Sequence, residues 1–356
     1  MSTQAIRFCT SSDGTRIAFA VAGQGTPLVK APHWLTHLEY ESRSPLWKPW
    51  IGALSSAHRL LRMDSRACGL SDTDVSELSF EAYVRDLEAV VDAAGFTQPF
   101  ALFGHSQGAA IATAYAVRHP ERVSHLVILG GYARGVKYRG LSPERLGEFE
   151  ALLQLVQVGW GRDDGLYRQM FAMQFIPGGT LEQINSMSEL QRAASTADNA
   201  VRILRSFSSI DVREDAPRVR CPTLLLHARG DRRVPFEEGR LLAGLIPGAR
   251  FVPLETDNHI LLPQELAYGQ FFAEIEAFLP CDAGKAARRE FASLTPREAE
   301  ILDRIARGHD NARIAAELQL SEKTVRNNIT HIFDKLGVAG RSQAIVLARE
   351  HGLGTS

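Results

Sequence analysis

Short apolar runs, each closed by glycine, proline or a polar residue, recur through the first third of the chain. They are RIAFAVAG (16–23), TPLVKAP (26–32), HRLLRMD (58–64), FALFGHS (100–106) and HLVILGG (125–131). Runs of this length between turn residues predict strands. Between them, Phe80 to Ala94 and Gly108 to His119 carry helical patterns, and strands alternating with helices predict a parallel sheet covered on both faces. After Gly131 the rhythm changes to a long helical stretch rich in Leu, Met, Phe and Gln, up to about Asp211. TLLLHARGD (223–231) and ARFVPLE (249–255) then resume the strand pattern. Those later strands need a sheet to join, so the stretch at about 132–210 reads as a helical lid inserted into one α/β domain, residues 1–279. Residues 280–293 read as a linker, and 294–356 as a small all-α domain.

The tail has its own periodicity. Thr295-Pro296-Arg297-Glu298 is a capping box with proline at the first helical position, which predicts a helix to about Arg307. A second helix is expected over Asn311 to Leu318, with LQLS turning into a third. On that third helix Val325, Ile329, Ile332, Phe333 and Leu336 form one apolar face. Lys323, Asn327 and Thr330 then point outward with Arg326 and Thr324 on the flanks, an exposed face of hydrogen-bonding groups suited to reading the major groove of DNA.

Composition narrows the class. At 356 residues, 45% hydrophobic and 23% charged, the chain can bury one large core and one small one and is neither disordered nor fibrous. Cys9, Cys68, Cys221 and Cys281 form no C-x-x-C pair and have no histidine at zinc-ligand spacing, so neither a disulfide framework nor a metal site is expected. The N-terminus lacks a basic region followed by an apolar one, and no apolar run reaches the roughly 18 residues of a membrane span. A cytoplasmic protein without membrane contact is the expectation. The net charge of −1 hides an asymmetry: from Lys285 onward twelve Lys and Arg face nine Asp and Glu. That bias is weak evidence for nucleic acid, and the helix pattern carries that argument.

Candidate chemistry centres on Gly104-His105-Ser106-Gln107-Gly108, which fits G-x-S-x-G with an apolar strand before it and a small-residue helix after it. In that context the serine sits on a sharp strand-to-helix turn with its hydroxyl at the carboxyl end of the sheet. Asp231 follows the strand at TLLLHARG and His259 follows FVPLE, the acid-then-histidine order that a triad needs. Taken singly, Asp231 also fits a turn aspartate and His259 a loop or core histidine. His33, His105 and His227 lack such a context. In the lid, LLQLVQVGW and YRQMFAMQFIP offer Leu153, Trp160, Met170, Phe171, Met173 and Phe175 as lining over Ser106, although such a stripe also fits a core.

Residues 1 to about 280 resemble the α/β-hydrolase fold family, including its D-x-R-G-x-G-x-S turn at Asp64 to Ser71. The resemblance implies Ser106 as nucleophile, His259 as general base and Asp231 as its orienter. It also implies an oxyanion hole from the N–H of Gln107 and of His33 or Trp34, with Trp34 beside the ligand. Two departures stand out: Ala31-Pro32 where the family has His-Gly, and Ala67 where it has glycine.

From about Leu294 to Gly352, LTPREAEIL, NARIAAELQLSEKTVRNNI, DKLGV and RSQAI resemble the LuxR-type helix-turn-helix. That resemblance implies base contacts from Arg326, Asn327 and Thr330, and phosphate contacts from Lys323, Thr324 and Lys335. A fourth helix, Ser342 to Glu350, would pair two copies on two half-sites of double-stranded DNA. Asn328 stands where the family commonly has histidine. The expected protein is a ligand-responsive, homodimeric transcription regulator, needing no cofactor, whose first domain binds a small apolar or acyl ester or lactone and in a further reading hydrolyses it. The alternative is a serine hydrolase that uses its tail for assembly.

Overall fold

The computed structural model describes residues 5–279, 294–338, 340–350 and 353–354. The chain divides into two compact units, 1–279 and 280–356; the expected linker at 280–293 lies outside the described residues.

The first unit is built on strands β1 (Ile6–Thr10), β2 (Arg16–Ala22), β3 (Thr26–Lys30), β4 (His58–Met63), β5 (Phe100–His105), β6 (Val123–Leu129), β7 (Thr223–Ala228) and β8 (Arg250–Leu254). They form one sheet in the order β1-β2-β4-β3-β5-β6-β7-β8. From β4 to β8 every pairing is parallel, whereas β1 pairs with β2, and β2 with β4, antiparallel. The wholly parallel sheet that the strand–helix alternation predicts is therefore mixed at one edge. Strands β5 and β7 are buried at every position, which is why they read as unbroken apolar runs rather than as alternation. Edge strand β1, with Phe8 48% exposed, gives too short and mixed a pattern to announce itself.

Helices α1 (Leu38–Arg43), α2 (Trp47–Ala57), α3 (Phe80–Ala93) and α4 (Gly108–Arg118) lie between strands. The lid holds α5 (Pro143–Gly159), α6 (Leu166–Ala172), α7 (Leu181–Ala194) and α8 (Ala197–Ser208), and α9 (Phe236–Leu245) and α10 (Leu266–Phe278) complete the unit. Strand β5 shows how both faces are covered. Phe103 packs on Trp50 of α2 and Phe271 of α10, while Phe100, on the opposite face by strand alternation, packs on Tyr115 of α4. Lid helices start where their caps dictate. Ser142 caps α5 ahead of Pro143, Thr180 and Gln183 form a capping box on α7, and Thr196 caps α8.

The second unit contains α11 (Pro296–Ala306), α12 (Asn311–Leu318), α13 (Glu322–Leu336) and α14 (Arg341–Glu350). Thr295 and Glu298 make the expected capping box. Ile301, Leu302, Ile305, Ile314, Val325, Ile329, Ile332, Ala344 and Ala348 form its separate core. Gln319, with φ +54°, makes the left-handed turn between α12 and α13. No helix among the described residues is long and apolar enough to cross a membrane.

Candidate functional site

Ser106 is held in a left-handed backbone conformation, φ +56°, with its N–H donating to the carbonyl of Leu129 at 3.0 Å. A non-glycine residue rarely adopts this conformation unless its surroundings impose it. Here the flanking glycines let them do so. A Cβ on Gly104 would lie 2.6 Å from Cα of Ala109, and one on Gly108 would lie 2.6 Å from the carbonyl oxygen of Pro32. The chain can therefore leave β5 and enter α4 within a few residues only if both positions lack a side chain.

Asp231 leaves the end of β7, and its Oδ1 accepts the N–H groups of Arg233 and Val234, both at 2.8 Å. Its Oδ2 accepts Nδ1–H of His259 at 2.6 Å, and both residues are buried. Burial alone would raise the Asp231 carboxyl, but the charge and hydrogen bond of His259 outweigh it and hold the group below the ordinary carboxylate value. The structure thus brings together the acid and histidine expected from the sequence. Nε2 of His259 is buried and makes no hydrogen bond among the described residues, so it is free to accept a proton. Gly130 completes the arrangement: at φ +57°, a Cβ there would come within 2.9 Å of His259 Cε1 and 3.1 Å of Nδ1.

A second histidine supports this pair. His105 donates from Nε2 to the carbonyl of His259 at 3.2 Å and stacks on its ring at 5.0 Å. His33 donates from Nδ1 to the carbonyl of Trp34 and stacks on Trp47. Burial pushes both far below the ordinary histidine value, so they are neutral positioning groups. The backbone N–H groups of His33, Trp34 and Gln107 donate to no described residue. Leu35, with φ +38°, bends the chain directly after the first two.

Two spaces meet at Ser106. One is an open cleft lined by Trp34, Gln107, Tyr132, Arg139, Phe207 and Arg233, among others. The second, a narrow crevice, is lined by His33, Trp47, Met187, Leu190, Gln191 and His259, among others. Trp34 and Phe175 line both. The carbonyl of Phe175 accepts the N–H groups of His259 and Ile260 at 2.8 and 3.2 Å, which fastens the lid to the histidine loop.

The remaining expected lining residues sit elsewhere. Trp160 and Phe171 are buried one layer behind, against the ring of Trp34. Together with Met170 they border a separate crevice that lacks Ser106. Met170 and Met173 are 54% and 49% exposed, a correction with a simple cause: α6 turns Arg168, Phe171 and Ala172 inward, and the methionines fall on its outer side. Tyr132, Arg139, Phe207 and Arg233 escape sequence reasoning because nothing in their local pattern marks a pocket.

In the second unit Lys323, Thr324, Arg326, Asn327 and Thr330 are all exposed on α13. Ser321 caps that helix through the N–H of Thr324. Lys335 is partly exposed. Its Nζ lies 2.7 and 2.9 Å from the two carboxylate oxygens of Glu298, so it ties α13 to the capping box of α11. The fourth helix, α14, buries Ala344 and Ala348 within its own unit.

Fold and site together define a hydrolase-fold domain in which Ser106 and a hydrogen-bonded Asp231–His259 pair lie at the ends of its strands, joined to a helix-turn-helix. Residues 40–266, more than half of the chain, match the alpha/beta hydrolase fold family, and residues 292–348 match the bacterial regulatory proteins of the luxR family. The chain belongs to the α/β-hydrolase fold family and ends in a LuxR-type DNA-binding domain, which makes it a regulator built on a hydrolase-like domain. It is similar to the putative carbamate hydrolase RutD of Azorhizobium caulinodans, 28% identical over 246 residues, covering 68% of this chain and 87% of the relative. Its C-terminal part is similar to the probable HTH-type transcriptional regulator GfsR of Streptomyces halstedii. That match is 52% identical over 54 residues, 15% of this chain and 22% of the relative. An esterase structure from Exiguobacterium antarcticum shares the fold at TM-score 0.61 and 22% identity, over 76% of this chain and 97% of the esterase.

Proposed function

We propose that the first domain is a ligand sensor whose occupancy controls how a homodimer of this chain reads two half-sites on DNA. Ser106 acts there as a nucleophile toward an ester or lactone. The observation that carries the reading is the strained Ser106 beside a buried, hydrogen-bonded Asp231–His259 pair, on the same chain as an exposed DNA-reading face. Oγ of Ser106 attacks the acyl carbon while Nε2 of His259 takes its proton. The oxyanion accepts the N–H of Gln107 and of His33 or Trp34. The bond to the alcohol oxygen then breaks, His259 returns the proton to that oxygen, and water releases the acyl group by the reverse sequence. Arg326, Asn327 and Thr330 contact bases, and Lys323 and Thr324 contact phosphate. Val346, 56% exposed on α14, is available to a second copy.

Binding without turnover is a second reading, favoured by one observation: Nε2 of His259 makes no hydrogen bond, to Ser106 or to anything else described. Catalytic hydrogen bonds in empty sites are often long and tighten only around substrate. A fluorophosphonate probe separates the two. Labelling that disappears in Ser106→Ala supports the nucleophile, and its absence from wild type leaves a binding domain. Selection of duplexes from a random pool tests the regulator itself, and failure to enrich any sequence counts against it.

A further inference from the structure

The cleft beside Ser106 is lined by two arginines, Arg139 and Arg233, and neither guanidinium has a carboxylate within salt-bridge distance among the described residues. Elsewhere in the domain buried guanidiniums are paired: Arg66 with Asp86 and Asp13, and Arg62 with Glu41. Arg233 instead lies over the rings of Phe171 and Phe175, at 5.4 and 5.1 Å. Arg139 lies over Tyr132 at 5.2 Å and donates from Nε to the carbonyl of Arg134. The nearest acids are already committed. Asp231 holds His259 and two backbone N–H groups, and Glu238 is paired with Arg134. Burial lowers both arginines, Arg233 to about 10, and an arginine keeps its proton in a protein at neutral pH. Gln107 Nε2 and Trp34 Nε1, on two more lining residues, are buried donors without partners.

A partly buried cation without a counter-charge is costly unless something supplies one. Here two cations without a counter-charge border one aromatic-walled space, and two of its other lining residues hold buried, unpaired donors. Building on the reading of Ser106 as the ligand-facing serine, we propose that the ligand is an anion: a carboxylate on an aromatic or aliphatic body, its charged end held by Arg139 and Arg233 and its apolar body against the aromatic wall of the cleft. Arginine suits this because its planar fork meets a carboxylate through two parallel hydrogen bonds while its face rests on a ring. The expected ligand is therefore the ester or lactone of an acid that retains a free carboxylate, rather than a neutral acyl chain.

A matched pair of unreactive probes tests the proposal, 4-phenylbutyrate and its neutral isostere 4-phenylbutyramide, titrated into the full chain by calorimetry. The carboxylate is expected to bind at least tenfold more tightly than the amide. The ratio of the two dissociation constants should fall below threefold in Arg139→Gln/Arg233→Gln and recover in part in Arg139→Gln/Arg233→Lys, which restores one charge. Equal affinities in wild type, no measurable binding of the carboxylate, or an unchanged ratio in the double variant would each overturn it. Charge preference is read here without chemistry at Ser106. A serine that fluorophosphonate fails to label therefore removes the nucleophile and leaves the anion site standing.

Discussion

Nδ1 of His259 donates to Oδ2 of Asp231 at 2.6 Å, while the other oxygen of the same carboxylate takes the backbone N–H groups of Arg233 and Val234. The acid is thus fixed in place by the chain itself, and its free oxygen sets the histidine tautomer. Asp231→Asn should slow fluorophosphonate labelling of Ser106 on the order of 10⁴-fold, the effect of the same change in a serine protease triad, because the tautomer is reversed. Rates within tenfold of wild type would mean that Asp231 does not orient His259.

Gly130→Ala tests the same pair from the other side. An added Cβ meets the imidazole of His259 rather than solvent, and φ +57° suits alanine poorly. We expect a loss of about 1–2 kcal/mol of stability, together with a fall in labelling of at least tenfold. Full labelling with normal stability would show that the ring shifts without consequence.

Both of these positions lie near residues that the pattern of the chain exposes. The elbow is legible because its context is local: an apolar run, two glycines and a run of small residues leave few alternatives to a strand, a strained serine and a helix. Asp231 and His259 are legible because strand ends are. Arg139 and Arg233 are not, since a charged residue in a loop looks the same whether it meets water or the wall of a cleft, and only tertiary packing decides. The misreading of Met170 and Met173 has the same root, because helical spacing says which residues share a face but not which way that face turns. Lys335 matched a family position for phosphate contact, and the ion pair with Glu298, 37 residues away, has no local signature.

That ion pair gives a pH-dependent prediction. The hydrogen bond from Lys335, with the backbone N–H of Thr295, lowers Glu298 from 4.5 to about 2. A carboxyl lowered on folding adds stability above its unfolded value, and that contribution is lost as pH falls from about 4.5 toward 2. Lys335→Ala should therefore weaken the second unit near neutral pH by about 1 kcal/mol, the scale of a partly exposed pair. Hydrogen exchange of peptides from α11 and α13 should show reduced protection at pH 7 that converges with wild type as Glu298 protonates. A constant difference across that range would rule out the ion pair as its source.

On the reading face, Arg326→Ala should relax selection at one base pair at a cost of about 1–3 kcal/mol. Lys323→Ala should weaken binding to all duplexes alike and make the salt dependence shallower by about one unit of slope, as a phosphate contact does. Binding to the selected duplex and to its single-base variants, measured at several salt concentrations, distinguishes them. Interchanged phenotypes would place α13 differently in the groove.

Communication between the two domains is measurable as a coupling between ligand and DNA. The carbonyl of Phe175 accepts the N–H groups of His259 and Ile260, and Phe175 lines both chambers at Ser106. A ligand that fills the chambers therefore presses on the lid and on the histidine loop at once. Occupancy changes DNA binding only as far as the ligand prefers the DNA-bound state of the protein over the free one, or the reverse. Linkage then requires reciprocity: whatever factor the ligand applies to DNA affinity, DNA must apply to ligand affinity. We expect 4-phenylbutyrate to change the Kd for the selected duplex by roughly 5–150-fold, the span of 1–3 kcal/mol of coupling. Calorimetric titration of 4-phenylbutyrate with and without saturating duplex should return the same factor. Equal ligand affinities in the two titrations, with tight binding in both, would show that the hydrolase-fold domain and the DNA reader share a chain but not an equilibrium.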